Sequence, residues 1–299
     1  MKIGFIGLGI MGKPMAKNLL AAGHDLVVRD PNAQAVAELV ALGATAATTP
    51  REVAERTDLV LTMLPNSPQV TEVVLGDGGV IEGVHAGLAF VDMSSIAPAV
   101  SREVARALAA RGVPMLDAPV SGGEPFAVAG TLSFMVGGPQ ETFDACRDVL
   151  GAMGSSVVRV GDIGAGNIAK LANQAIVAVN IAAVAEALVM AQKAGVDPEA
   201  VVSAISGGLA GSNVMSAKAP MMLDRSFAPG FRINLHLKDL TNVIATSHEH
   251  ASPMPLTAAV FELMTELKAH GYEAEDHSAL LRTYESAAAT QLRRGGHLS

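Results

Sequence analysis

Lys170, Asn173 and Gln174 stand at i, i+3 and i+4 in a stretch otherwise rich in Ala, Ile and Val. That spacing places one ammonium and two amides on a single helical face. Burying such groups without partners is costly. The pattern therefore asks for a polar cleft or for a domain edge where the lysine reaches water along its stem. In a cleft, Lys170 can hand a proton to a carbonyl oxygen as hydride reaches the carbon, and partial burial lowers its pKa toward working pH.

A second group is Gly7-Leu8-Gly9-Ile10-Met11-Gly12, between a strand-like run (Lys2–Ile6) and a helical one (Met11–Ala22). In that context the first glycine makes a tight turn, the second lets backbone approach a pyrophosphate and the third lets helix pack on strand. The helix start then faces the phosphates. An acid is expected about 20 residues on, at the end of the next strand. Asp30 stands there, and its carboxylate suits a ribose diol and repels a 2′-phosphate, which favours NAD; Arg29 leaves NADP open. Met63, Leu64, Pro65 and Ser95 end two later strand-like runs, where doubly wound sheets bind their ligands. They are further cofactor contacts, with strand termination for Pro65 and a helix N-cap for Ser95 as the alternatives.

Ser121-Gly122-Gly123 follows another strand-like run, Pro114–Ala118. A hydroxyl and two residues without side chains expose donors that can hold a carboxylate without a basic residue; an ordinary loop is the alternative. Lys238-Asp239 by itself reads as a solvated ion pair. His248-Glu249-His250 lacks the i, i+4 spacing that puts two ligands on one helical face, so it reads as exposed helix and no metal is expected.

The elements that must position these residues fall into two halves. Apolar runs at Lys2–Ile6, Asp25–Arg29, Asp58–Leu64, Leu88–Met93 and Pro114–Ala118 alternate with helix-period segments, which argues for a parallel sheet covered on both faces. Leu132–Val136 and Ser156–Val160 extend it at one edge. From Ile163 to Ala194 the sequence reads as one long helix, and Pro198–Ile205, Ala217–Leu223, Leu237–His250, Leu256–His270 and Ser278–Ala289 read as further helices. The expected architecture is an α/β Rossmann-like domain, 1–162, joined through that helix to an all-α domain, 163–299. Arg293–Ser299 reads as a frayed tail.

Composition narrows the function. The 299 residues carry 21 Lys+Arg against 29 Asp+Glu, a net charge of −8, which disfavours nucleic-acid and anionic-membrane partners. Aromatics are only 3%, too few for base-stacking platforms. One cysteine, Cys146, excludes an internal disulfide framework, and no signal peptide opens the chain, so a cytoplasmic protein is expected.

Four segments together resemble the β-hydroxyacid dehydrogenase family: Gly7 to Met15, Asp117-Ala118-Pro119-Val120-Ser121-Gly122-Gly123, Gly164 to Gln174, and Lys238-Asp239. The resemblance covers nearly the whole chain. It implies that Lys170 is the general acid, that Ser121, Gly122 and Gly123 bind a substrate carboxylate, and that Asn173 and Gln174 orient the substrate. It also implies that Lys238 closes the cofactor site, in place of the solvated-pair reading, and that subunits pair into a homodimer or homotetramer. Within the family, Ser121–Pro125, Gly207–Ser212, Pro229–Arg232 and Asp276–Ala279 carry the finer likeness. The implied reaction is NAD(P)H-dependent reduction of 2-hydroxy-3-oxopropanoate to glycerate, with 3-hydroxyisobutyrate as the alternative substrate. Gln174 replaces an Asn common in the family. A protein of this architecture that only binds nucleotide would have no need of Lys170.

Overall fold

The computed structural model describes residues 1–294, so the tail reading from 295 onward lies outside the described residues. Arg293 and Arg294 are held rather than frayed: the Arg293 amide donates to Gln192 Oε1, and Arg294 pairs with Glu199 and Asp224. The chain divides into two compact units, 1–170 and 171–299.

The first unit alternates strand and helix in the order β1 (Lys2–Ile6), α1 (Gly12–Ala21), β2 (Asp25–Arg29), α2 (Ala33–Val40), β3 (Thr45–Ala46), α3 (Pro50–Glu55), β4 (Leu59–Thr62), α4 (Ser67–Leu75), β5 (Ala89–Asp92), α5 (Pro98–Ala109) and β6 (Met115–Asp117). There follow β7 (Val120–Ser121), α6 (Gly123–Ala129), β8 (Leu132–Gly137), α7 (Gln140–Gly151), β9 (Gly154–Gly161) and the start of α8 (Ala165–Lys193). The sheet runs β3-β2-β1-β4-β5-β6 with every pair parallel, the doubly wound order. Beyond β6, β8 is antiparallel to β6 and β7 and parallel to β9.

Alternation along the strands explains why both faces are apolar. Ile3, Phe5, Leu26, Val28, Leu59 and Leu61 pack on Met15 and Leu19 of α1. Ile6, Val27, Val60 and Phe90 pack on the opposite face with Val70 and Val74 of α4 and Val104 and Leu108 of α5. A sheet with helices on both faces needs such runs rather than an apolar/polar alternation.

The second unit is helical: the rest of α8, then α9 (Pro198–Ile205), α10 (Asn213–Leu223), α11 (Ile233–Glu249), α12 (Pro255–Ala269) and α13 (Leu281–Ala287). By length and composition α8 could cross a membrane, but half of its most apolar window is buried. Its Ala178, Ile181, Ala185 and Leu188 lie in one core with Met215 and Met222 of α10, Leu240 of α11 and Met264 of α12. Two helices begin earlier than the apolar pattern suggests. Ser212 Oγ accepts the Met215 amide and starts α10 ahead of Ala217. The first amides of α11, at Ile233 and Asn234, donate to carbonyls of Glu275 and Glu273, a tertiary cap invisible locally. The expected helix Ser278–Ala289 is split into a 3₁₀ turn (His277–Leu280) and α13.

Candidate active site

The glycine loop between β1 and α1 divides its labour among its residues. Gly7 has φ +97°, and a Cβ there would lie 2.3 Å from Met63 O. At Gly12 a Cβ would lie 1.9 Å from Gly7 O, so the start of α1 sits directly on the turn. Gly9 differs: a Cβ would meet nothing within 4 Å. Two glycines are thus consumed by packing, and the middle one borders open space near the start of a helix, whose unpaired amides favour anions. Leu8 is buried, while Ile10 is 55% exposed. Asp30, just past β2, accepts the Leu8 amide at 2.6 Å and the Asn32 amide at 2.7 Å, one on each carboxylate oxygen. It therefore holds the loop to the segment after β2.

Met63, Leu64 and Pro65 follow β4. The Leu64 amide donates to Ser94 Oγ at 2.8 Å, and the Ser94 amide donates to Asp92 Oδ1, which also accepts Thr62 Oγ1 at 2.8 Å. Thr62, Asp92 and Ser94 are fully buried. They lace together the ends of two strands at the carboxyl edge of the sheet. Ser95 is not an N-cap: α5 starts at Pro98 with Ala97 in the capping position.

Ser121 closes β7, opposite Ser133 of β8. In place of the ordinary-loop alternative, Gly122 caps and Gly123 begins the short helix α6, with φ +136° and +74°. A Cβ at Gly122 would also strike Phe126 Cβ at 2.6 Å, so the turn that presents these amides requires glycine twice over.

Asp117, at the end of β6, is fully buried and reaches the start of α8. Its Oδ1 accepts the Gly164 amide and its Oδ2 the Asn167 amide, each at 2.7 Å. Burial pushes its carboxyl up to about 6, against the pull of those two donors and with a further push from Asp92. Asn167 is fully buried; its Oδ1 accepts the Ile96 amide at 3.0 Å and its Nδ2 donates to Ser101 Oγ at 3.1 Å. Lys170, on the same helix and 7% exposed, closes the first unit.

In the second unit Gln174 is buried, and its Nε2 donates to Asp239 Oδ2 at 2.5 Å. Its Oε1 accepts Asn173 Nδ2 at 2.9 Å. Lys238 Nζ lies 3.0 Å from Asp239 Oδ1. The Lys238-Asp239 pair is therefore not a solvated one, since Asp239 is 2% exposed and shared with Gln174. Behind it, His236 Nε2 lies 3.2 Å from Gln174 O and so donates to that carbonyl. That leaves His236 Nδ1 to accept from His277 Nδ1 at 2.9 Å. Burial, then His236 and Lys218, hold His277 well below its ordinary pKa. Asp276 accepts from Lys218 and from the Gly230, Phe231 and Ser278 amides, joining two segments singled out in the sequence. His248 and His250 are exposed. Cys146 is buried, which pushes its thiol up to about 11.

Sequence reasoning assigned no role to Thr62, Asp92 or Asn167. The available signal was a polar residue closing an apolar strand, as in Ala89-Phe90-Val91-Asp92, where burial demands partners.

Residues 2–161 match the family described as the NAD binding domain of 6-phosphogluconate dehydrogenase. Residues 164–284 match the NAD-binding family of NADP-dependent 3-hydroxyisobutyrate dehydrogenase. The chain is 44% identical to 2-hydroxy-3-oxopropionate reductase of Escherichia coli (strain K12), over 96% of this chain and 98% of that protein. The chain belongs to the β-hydroxyacid dehydrogenase family. This dehydrogenase is also 40% identical to 3-hydroxyisobutyrate dehydrogenase of Pseudomonas aeruginosa, over 94% of this chain and 98% of that one. Its fold matches a Mycobacterium tuberculosis 3-hydroxyisobutyrate dehydrogenase structure with TM-score 0.88 and 32% identity, covering 94% and 98% of the two chains. It is an NAD(P)-dependent oxidoreductase of hydroxyl and oxo groups, with the glycine loop in its NAD-binding part.

Proposed function

We propose that this dehydrogenase reversibly reduces 2-hydroxy-3-oxopropanoate to glycerate, using NADH, with NADPH as the alternative. The observation that carries the chemistry is Lys170: a buried ammonium one helical turn past Asn167, on a helix bonded to the strand that leads to Ser121-Gly122-Gly123. The choice of substrate is supported by the 44% identity, over nearly the full length of both chains, to a protein named for that reaction.

A bound nicotinamide supplies the hydride. Lys170 donates a proton to the forming alkoxide, so that negative charge does not accumulate in a low-dielectric site. The Ser121 hydroxyl and the amides of Gly122 and Gly123 hold the substrate carboxylate, while Asn173 and Gln174 orient the substrate. On the cofactor, Gly7, Leu8, Gly9, Ile10, Met11 and Gly12 hold the pyrophosphate and Asp30 the ribose diol. Met63, Leu64, Pro65 and Ser95 line its remaining length, and Lys238 closes over it. Asp30 supports the preference for NADH, because its carboxylate would repel a 2′-phosphate.

A homodimer or homotetramer belongs to the same reading. Ile176, Ala183 and Met190 of α8 are exposed at seven-residue intervals, an apolar face that a second copy of the chain would cover. A cytoplasmic location accords with the lone buried cysteine.

The test compares kcat/KM for 2-hydroxy-3-oxopropanoate and 2-methyl-3-oxopropanoate by NADH oxidation. A site that hydrogen-bonds the 2-hydroxyl rejects the methyl analogue strongly, whereas an apolar pocket discriminates weakly. A preference of about tenfold or more for the hydroxy compound, ~1.4 kcal/mol at the transition state, is expected. A preference for the methyl compound moves the enzyme to 3-hydroxyisobutyrate chemistry.

A further inference from the structure

We infer that Asp117 and Asn167 are positioning residues that set the place of the Lys170 ammonium, and that they act on the rate of proton transfer rather than on cofactor binding. The inference rests on the general-acid reading of Lys170.

Three separate elements converge on the first turn of α8. From β6, the Asp117 carboxylate takes the Gly164 and Asn167 amides. From the segment after β5, the Ile96 amide bonds Asn167 Oδ1. From α5, Ser101 Oγ accepts Asn167 Nδ2. Backbone packing closes the same turn: a Cβ on Gly166 would lie 2.4 Å from both Asp117 O and Met135 O. The turn can neither slide along its axis nor rotate without breaking one of these contacts. Lys170 follows Asn167 at i+3, on the adjoining part of the same face.

The placement has a chemical purpose. Asp117 lies four residues before Ser121, so one carboxylate bonds the helix bearing the acid to the chain that runs into the carboxylate clamp. General acid catalysis needs donor and acceptor within hydrogen-bond reach. A displacement near 1 Å can cost about a hundredfold in rate. A carboxylate is suited to this task because both oxygens accept and because it faces the positive end of the helix dipole. The ion is buried at a desolvation cost, which an uncharged amino acid at this position would avoid.

The experiment measures kcat, KM, NADH affinity and the deuterium isotope effect with 4-deuterated NADH for Asp117→Asn, Asn167→Leu, Ser101→Ala and Lys170→Ala, normalised to NADH-binding sites. Asn at 117 keeps one acceptor but turns an NH2 against an amide; Leu at 167 keeps the volume and loses both bonds. Ser101→Ala removes one hydroxyl only, and carries the test if the other two variants fail to fold. For Asp117→Asn and Asn167→Leu the expected result is a fall in kcat of about thirtyfold, ~2 kcal/mol. NADH affinity should stay within about threefold of wild type, and the isotope effect on kcat should be larger, because the chemical step has become limiting. Ser101→Ala should show the same pattern at smaller amplitude. A purely structural role would lower the number of binding sites and leave kcat per site and the isotope effect unchanged; that result overturns the inference. If Lys170→Ala turns over as fast as wild type, the general-acid reading itself falls, and the inference with it.

Discussion

Gly9 and Gly12 have the same side chain and lie one turn apart, yet the structure assigns them opposite responses to a methyl group. At Gly12 the new Cβ would sit 1.9 Å from Gly7 O, and ordinary contact begins at 3.4 Å, so backbone must move by about 1.5 Å. The obstruction is a carbonyl in a tight turn rather than the end of a flexible side chain. Gly12→Ala therefore costs at the upper end of overpacking, about 3 kcal/mol. At roughly 2–4 °C per kcal/mol for a unit of this size, the melting temperature should fall by about 6–12 °C. At Gly9 a Cβ meets nothing within 4 Å, and φ is not in the left-handed region. Gly9→Ala should leave stability unchanged or raise it by up to about 1 kcal/mol, through the lost entropy of the unfolded chain. On the proposed placement of the cofactor the same methyl occupies the pyrophosphate's space, so NADH affinity should fall about tenfold or more, ~1.4 kcal/mol. Thermal unfolding and a fluorescence titration with NADH measure both quantities. If Gly9→Ala melts as early as Gly12→Ala, or binds NADH like wild type, the division of roles in this loop is wrong.

Two further outcomes are expected. Asp30→Ala should weaken NADH much more than NADPH, read as separate dissociation constants; equal losses would show that Asp30 serves only to hold the Leu8 and Asn32 amides. The Asp117 carboxyl, raised from 3.8 to about 6 by burial, keeps a proton in the folded protein that the unfolded chain releases. It makes stability fall as pH rises from about 4 to 6, by about 3 kcal/mol, and then level off. Asp117→Asn should remove that slope in chemical unfolding midpoints taken from pH 4 to 7, whereas an unchanged slope would assign it to another group.

The glycine loop, the parallel sheet and the helical second half were legible because each rests on local spacing: apolar runs in strands, glycines at a turn, an acid closing the next strand. The positions of Lys170, Asn173 and Gln174 on one helix were legible for the same reason. The contacts that hold them were not. Asp117 meets its partners 47 and 50 residues away, and Gln174 meets Asp239 65 residues away, separations that no local pattern encodes. The start of α6 was hidden for a different reason. Two glycines followed by Glu124-Pro125 look like a loop, and only the pairing of β7 with β8 sets the turn that lets them open a helix. Similarly, Lys238-Asp239 reads as a surface pair until the fold buries the aspartate.

The most direct test of the central claim is turnover by Lys170→Ala, with NADH binding measured on the same preparation. The account predicts that kcat falls by about a thousandfold, within the range for loss of a general acid, and that NADH binds as tightly as to wild type. Turnover at the wild-type rate, with cofactor bound, would contradict it.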